Sequence, residues 1–264
     1  MDTEERQTIA YCKLSVASLR VQAAHTSNIR SQVLFGEKVH LIRKKSREWM
    51  KVKCDWDGVE GWVDPKQFYF DENKNNKEAS NCQTFALDHM HVINSENISI
   101  PIIIGSDLLK CDGLNVKMPF GKFQYGGQII DLNQSSHSRK LLIKIAMRYL
   151  HAPYSSGGRS ILGTDSTGFI QLAYKMIGIS LPRFSQDMVK NGTDVGFINE
   201  ANPGDIAFFE NKESEITHAG LVLENNQILH VHGNVRIDFL DQQGIYVKRR
   251  RSYLYNLRTI RQYI

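Results

Sequence analysis

The sequence predicts an α+β protein: a strand-rich front, then a domain in which helices come first and an antiparallel sheet follows. Three observations carry this. Up to about Phe70, short β-branched runs alternate with turn signals and helical periodicity is nearly absent; the first helical period spans residues 138–150; strand signals return from residue 205. With 264 residues, 41% hydrophobic and 23% charged, the chain has ample material for a core, which excludes a disordered or fibrous protein.

In chain order, residues 13–20, 32–42, 49–54 and 58–63 read as strands with breaks at Gly36-Glu37 and Asp57-Gly58, predicting a small β-barrel over residues 1–72. The Asn/Lys/Glu-rich stretch 71–81 has too little apolar content to pack and reads as a linker. Further β-like pieces at 84–87, 98–104, 114–118 and 127–130, interrupted by Gly105, Gly113 and Gly121, predict a second, diverged barrel over residues 82–132. A third domain is expected over residues 135–264. Its first helix, 138–150, repeats Leu141, Leu142, Ile145, Ala146 and Tyr149 at helical spacing. Its second, 166–177, carries Phe169, Ile170, Ala173 and Ile177 on one stripe and stops at Gly178, a C-cap residue. Strands are then expected at 205–209, 218–223, 227–232 and 245–248.

Lys and Arg outnumber Asp and Glu by 33 to 28, and much of the net charge of +5 sits in Lys248-Arg249-Arg250-Arg251. Such a run is expected to be a solvated face, so nucleic acid is not an expected partner. No apolar run reaches the roughly 18–20 residues of a membrane span, and Met1-Asp2-Thr3-Glu4-Glu5-Arg6 lacks the basic start and apolar centre of an export signal. Two compartments fit: the cytoplasm, or outside it for a protein whose signal has been removed. Cys12, Cys54, Cys82 and Cys111 form no CxxC pair and no metal-ligand spacing, which predicts free thiols; neither a metal nor another cofactor is expected.

The residues able to carry chemistry lie in the third domain. Pro153-Tyr154-Ser155-Ser156-Gly157-Gly158-Arg159 and Gly163-Thr164-Asp165-Ser166-Thr167-Gly168-Phe169 place a glycine-rich loop before a helix, with Ser166 at the helix start. Unpaired N–H groups and the helix dipole favour an anion there, so a cysteine at that position would be activated; Asp165 reads as an N-cap. Downstream, Thr217-His218-Ala219-Gly220-Leu221-Val222-Leu223 and Ile228-Leu229-His230-Val231-His232-Gly233 form successive strands. A three-residue connection at 225–227 would pair 222 with 230 and put His218, His230 and His232 on one face. A two-residue turn at Asn225-Asn226 would pair 221 with 230 and send His230 to the opposite face from His218. On one face, a first histidine as base and a second orienting its ring would complete a nucleophile–base–orienter set.

The ordered motifs PY-x-x-GG, G-x-D-S-T-GF, Leu181-Pro182-Arg183, Pro203-Gly204-Asp205 through Phe209, THAG and H-x-x-G resemble the NlpC/p60 cell-wall peptidase family over about residues 140–250. Ala17-Ser18-Leu19-Arg20, Gln32 through Glu37, Trp49-Met50-Lys51-Val52 and Asp57-Gly58-Val59-Glu60-Gly61-Trp62-Val63 resemble a bacterial SH3-like domain. The combination is most similar to γ-D-glutamyl-L-diamino-acid endopeptidases. The resemblance implies a papain-like, metal-free α+β catalytic domain behind two SH3-like barrels. It implies cleavage of peptidoglycan stem peptides or muropeptides at the γ-D-Glu to diamino-acid bond by a monomeric protein. It carries the nucleophile onto Ser166, the general base onto His218 and the orienting residue onto His230. Oxyanion contacts fall on the backbone N–H of residue 166 and on Tyr154, and Asp165, Ser185 and Trp56 become expected substrate contacts, Trp56 as a lip of the first barrel over the cleft.

Three positions depart from the family pattern. Ser166 replaces the nucleophilic cysteine, Ser156 stands where tryptophan is usual, and Phe184 stands where an aspartate is usual. A serine alkoxide is far harder to form than a thiolate, so the chain is expected to be inactive or very weakly active. Two origins of Ser166 fit: a deliberate Cys-to-Ser change, or natural loss of the nucleophile with Ser156 and Phe184 as companion losses. The alternative function is a catalytically dead, stem-peptide-binding pseudoenzyme. His25, His40, His89, His91 and His137 read as ordinary surface or core residues, His232 as a neighbour of the site, and Trp49 and Trp62 as barrel core.

Overall fold

Strands form in the first part of the chain where apolar and polar residues alternate: in Val16–Arg20, Ala17 and Leu19 are buried and the residues between them half-buried. A computed structural model describes residues 8–71, 82–134 and 137–264. They fall into two compact units, Met1–Gln134 and Ser135–Ile264. In the first unit β1 (Ile9–Cys12), β2 (Val16–Arg20), β3 (Ile29–Leu34), β4 (Lys38–Lys44), β5 (Met50–Cys54), β6 (Glu60–Val63) and β7 (Phe68–Asp71) make one antiparallel sheet in the order β3-β2-β6-β5-β4-β1-β7.

β8 (Thr84–Ala86), β9 (Met90–Asn94), β10 (Ser99–Ile103), β11 (Asn115–Met118), β12 (Gly121–Tyr125) and β13 (Ile129–Asp131) follow. They form a four-stranded sheet, β10-β9-β12-β11, and a separate β13-β8 pair. β9 escaped the sequence reading because only Ile93 of its five residues is buried, which leaves almost no apolar alternation. The two halves of this unit share a core. Phe35, at the end of β3, packs with Ala86, Ile93, Ile102, Phe123 and Tyr125, and its carbonyl accepts the Asp107 N–H at 2.8 Å. Apart from Asp71, the expected linker lies outside the described residues.

The second unit opens with α1 (Arg139–Met147), capped by the Ser138 hydroxyl, which accepts the Leu141 N–H at 3.1 Å. A short hairpin, β14 (Arg159–Ser160) and β15 (Gly163–Thr164), leads into α2 (Gly168–Lys175), every residue of which is buried. α2 stops at Gly178, whose φ of +85° suits a residue without Cβ; Ile179 N–H bonds back to Tyr174 and Gly178 N–H to Lys175, a Schellman closure. The single turn α3 (Ser185–Met188) and β16 (Thr193–Val195) precede the main sheet.

That sheet comprises β16, β17 (Ile206–Glu210), β18 (Ile216–Leu223), β19 (Gln227–His232), β20 (Asn234–Leu240), β21 (Gly244–Val247) and β22 (Ser252–Gln262), in the order β16-β22-β17-β18-β19-β20-β21. β21 also pairs with β22, so the strands from β17 to β22 close into a barrel. The sequence predicted four of these strands. β20 and β22 were missed because Arg236, Asp238, Arg258 and Arg261 interrupt their apolar patterns. Ala207, Phe209, Val222, Ile228, Leu240, Ile245 and Ile260 pack as one apolar cluster.

Candidate functional site

The loop before α2 is held by one carboxylate and one guanidinium. Asp165 Oδ1 accepts the N–H groups of Thr167 at 3.3 Å and Gly168 at 2.8 Å, satisfying donors a helix start leaves open; Oδ2 accepts the Gly157 N–H at 3.0 Å. Arg183, 1% exposed, donates to both Asp165 oxygens at 2.9 and 2.7 Å, to Thr167 Oγ1 at 2.8 Å and to the Gly158 carbonyl at 3.2 Å. A Cβ on Gly168 would lie 2.1 Å from the Gly158 carbonyl oxygen, so the helix start can press against the loop only with glycine there. These contacts present half-buried Ser166 at the N-terminal end of α2, two residues before its first regular turn.

The histidines come from β18 and β19. Gly220 pairs with His230 and Val222 with Ile228, so neither register considered from the sequence occurs. Asn225 and Asn226 do take positive φ, 57° and 54°, and Gln227 N–H donates to the Glu224 carbonyl at 3.3 Å, as in a two-residue turn. Gln227 nevertheless opposes Leu223, which leaves Glu224 as an extra residue. The connection is therefore Glu224–Asn226, and its odd length keeps His218 and His230 on one face.

On that face the side chains form a chain. His218 Nε2 lies 3.2 Å from His230 Nδ1, His230 Nε2 lies 2.9 Å from Asp238 Oδ2, and Arg236 grips Asp238 through Nε at 2.6 Å and Nη2 at 2.8 Å. Tyr255 of β22 stacks on the His218 ring at 4.0 Å between centroids and 7° between planes, and its hydroxyl is 3.2 Å from His232 Nδ1. Burial holds His218 well below the ordinary histidine range, helped by His230 and His232. Burial also lowers His230, with Asp238 opposing it. For Asp238 burial would raise the carboxyl, but the hydrogen bonds from His230 and Arg236 outweigh it and hold the group below its usual range. Both histidines are thus favoured as neutral rings beside an ionised aspartate.

Ser166 and His218 line one cleft of about 600 Å³. Of the other residues singled out in the sequence, Tyr154, Asp165 and Ser185 line it too, as do Ser156 and Phe184. Tyr154 is 55% exposed, whereas the Ser185 hydroxyl donates to the Ile216 carbonyl at 3.3 Å. Trp56 belongs to the first unit, in the turn between β5 and β6. The sequence reading missed Asp238, Arg236 and Tyr255. Asp238 shares the even-numbered face of His230 across one hairpin, a signal present in the sequence once Asn234–Leu240 is read as a strand. Among the described residues, no group of three or more His, Cys, Asp or Glu side chains is arranged to hold a metal ion, and no helix is long and apolar enough to cross a membrane.

A hydroxyl at a helix N-terminus and a histidine lining one cleft, with a second, buried histidine on the first one's far ring nitrogen, is the layout of the nucleophile–histidine hydrolases. The chain carries an NlpC/P60 family domain over residues 151–253 and a bacterial dipeptidyl-peptidase SH3 domain over residues 19–68. It is 28% identical over 220 residues, 76% of this chain and 72% of its counterpart, to a γ-D-glutamyl-L-lysine dipeptidyl-peptidase of Bacillus subtilis (strain 168). It is 24% identical over 255 residues, 86% of this chain and 90% of the other, to dipeptidyl-peptidase 6 of Lysinibacillus sphaericus. Its fold is that of an NlpC/P60 family protein from Bacillus cereus ATCC 10987, with a TM-score of 0.79 at 20% identity over 97% of this chain and 99% of that one.

Proposed function

We propose that the second unit is a peptidoglycan stem-peptide hydrolase domain for the γ-D-glutamyl to diamino-acid bond, with Ser166 in the nucleophile position, His218 as general base and His230 as its orienting partner. One observation carries this reading: Ser166 and His218 line the same cleft, and His218 Nε2 is taken by His230, which leaves Nδ1 for the nucleophile. The substrate class follows from the relatives named above. Attack on the γ-D-Glu carbonyl would pass the nucleophile's proton to His218 Nδ1 and form an acyl-enzyme that water then hydrolyses, with the residue 166 N–H and Tyr154 beside the developing oxyanion. Asp165 and Ser185, on the cleft wall, are the proposed substrate contacts. With serine as nucleophile turnover is very weak or absent, because the hydroxyl ionises far less readily than a thiol. The proposed organisation is an SH3-like barrel over 1–72, a second, diverged one over 82–132, and a papain-like α+β domain over 135–264, in a monomer.

The test is to assay Ser166→Cys against L-Ala-γ-D-Glu-diamino-acid peptides. Turnover by the variant and little or none by the unsubstituted chain is expected. Failure of the variant to cleave any muropeptide would overturn the hydrolase reading.

The presence of Ser156, Ser166 and Phe184 together on the cleft wall favours a second reading, a stem-peptide-binding protein that has lost its nucleophile. Calorimetric titration separates the two. Tight binding by the unsubstituted chain without turnover by Ser166→Cys supports the binding protein; restored turnover removes it.

A further inference from the structure

The hydrogen-bond chain behind His218 has a direction, and its far end sets it. An ionised carboxylate only accepts, so the contact of 2.9 Å between Asp238 Oδ2 and His230 Nε2 requires the proton on that nitrogen. His230, as a neutral ring, then has a bare Nδ1, which accepts, so the contact of 3.2 Å to His218 Nε2 requires the proton on His218 Nε2. His218 Nδ1 is left with its lone pair. That is the tautomer a general base needs, and it is set two rings away from the carboxylate responsible. Arg236, hydrogen-bonded to Asp238 Oδ1 through Nη2 and ion-paired with Oδ2 through Nε, keeps Asp238 ionised and pointed at His230. His230 is fully buried and the Asp238 side chain only 8% exposed, so water competes poorly for these partners.

We propose that Asp238 is a positioning residue of this site, one that fixes the tautomers of both histidines so that His218 Nδ1 faces the nucleophile unprotonated. The proposal rests on the hydrolase reading for its catalytic consequence, but not for the tautomers themselves. When the nucleophile's proton leaves for Nδ1, His218 becomes an imidazolium that keeps its Nε2 proton on His230, and His230 keeps its own on Asp238. No proton crosses the relay. The groups facing the two rings are His232 and Tyr255 at His218, and Asp238, Arg236 and His232 at His230.

Long-range ¹H–¹⁵N correlation of the imidazole nitrogens in the unsubstituted chain, at a pH where both rings are neutral, reads the tautomers directly. The expected result is a proton on Nε2 of both His230 and His218; a proton on His218 Nδ1 overturns the proposal, whether or not any variant folds. In Asp238→Ala the acceptor is gone, and a substantial share of His218 should shift to the Nδ1-protonated form; unchanged tautomers in a folded Asp238→Ala protein also overturn it. The kinetic arm adds Asp238→Ala to Ser166→Cys, with an expected loss of kcat of roughly 100-fold or more and KM within about threefold. An unchanged kcat would leave the hydrolase reading standing and sink the positioning role. Absence of turnover in Ser166→Cys alone would instead sink the hydrolase reading, while the nitrogen shifts still decide the relay.

Discussion

Arg183 is buried beneath the loop that carries Ser166 and donates to both oxygens of the Asp165 carboxylate, at 2.9 and 2.7 Å. The pair does two things at once: it compensates a buried guanidinium, and it fixes the acceptor that caps α2. Two stretches about twenty residues apart in sequence, the nucleophile loop and the Leu181-Pro182-Arg183 turn, are thereby locked to each other.

Replacing Asp165 with Ala leaves the Arg183 charge buried without its carboxylate and removes the cap of α2. The expected loss is on the order of 3 kcal/mol or more, measured as a lower denaturant midpoint at unchanged m-value. Arg183→Lys, which cannot make the forked contact, should also destabilise. Full stability in Asp165→Ala would show that the clamp is not structural.

Stability should fall on mild acidification because of the histidine pair. Both rings have folded-state pKa values below the ordinary 6.5, with burial as the leading cause for each. Below about 6.5 the unfolded chain therefore binds protons that the folded chain refuses; the stabilisation is complete above that pH and is lost as the pH falls toward the folded values. Asp238, lowered from 3.8, contributes above 3.8 and is lost only below it, outside this window. The expected Tm is flat from pH 7 to 8 and declines between 6.5 and 5, with a shallower decline in His218→Gln. A flat profile from 8 to 5 would contradict the burial of the pair.

Gly168→Ala tests the close approach of α2 to the loop. The new Cβ would meet the Gly158 carbonyl oxygen at 2.1 Å and Thr164 Oγ1 at 2.9 Å, and the first of these is backbone that has to move. Overpacking of this kind costs about 1–3 kcal/mol. Because the displaced loop carries Ser166, the Gly168→Ala change should also lower any activity of Ser166→Cys. A neutral effect on thermal unfolding would show that the loop relaxes freely.

The cysteines should separate by burial. Burial pushes the Cys12 thiol up to about 12, and Cys54 is buried as well, whereas Cys82 and Cys111 are half-buried. At pH 8 a small alkylating reagent is expected to label Cys82 and Cys111 first and to reach Cys12 and Cys54 only on unfolding. Mass spectrometry of digests over time checks the order, and early modification of Cys12 would contradict the packing of the first unit's seven-stranded sheet.

Local signals were legible in the sequence because their physics acts within a few residues. Asp165 caps the helix that begins three positions later, Gly178 ends it, and the alternation around Thr217-His218-Ala219-Gly220 marks a strand whatever it pairs with. The placement of Ser166 before a helix and of two histidines on neighbouring strands followed from that text alone. Whether His218 and His230 share a face did not, because parity depends on one extra residue, Glu224, in the connection between β18 and β19. Nor was Asp238 visible as the end of the relay. Its contact with His230 depends on the register of β19 against β20, in a strand whose Arg and Asp residues masked it. Tyr255 reaches the His218 ring because β22 pairs with both β17 and β21 and closes the barrel. Cross-strand neighbours are set by turn length and sheet closure, which only the folded chain specifies; helix caps and strand alternation are written residue by residue.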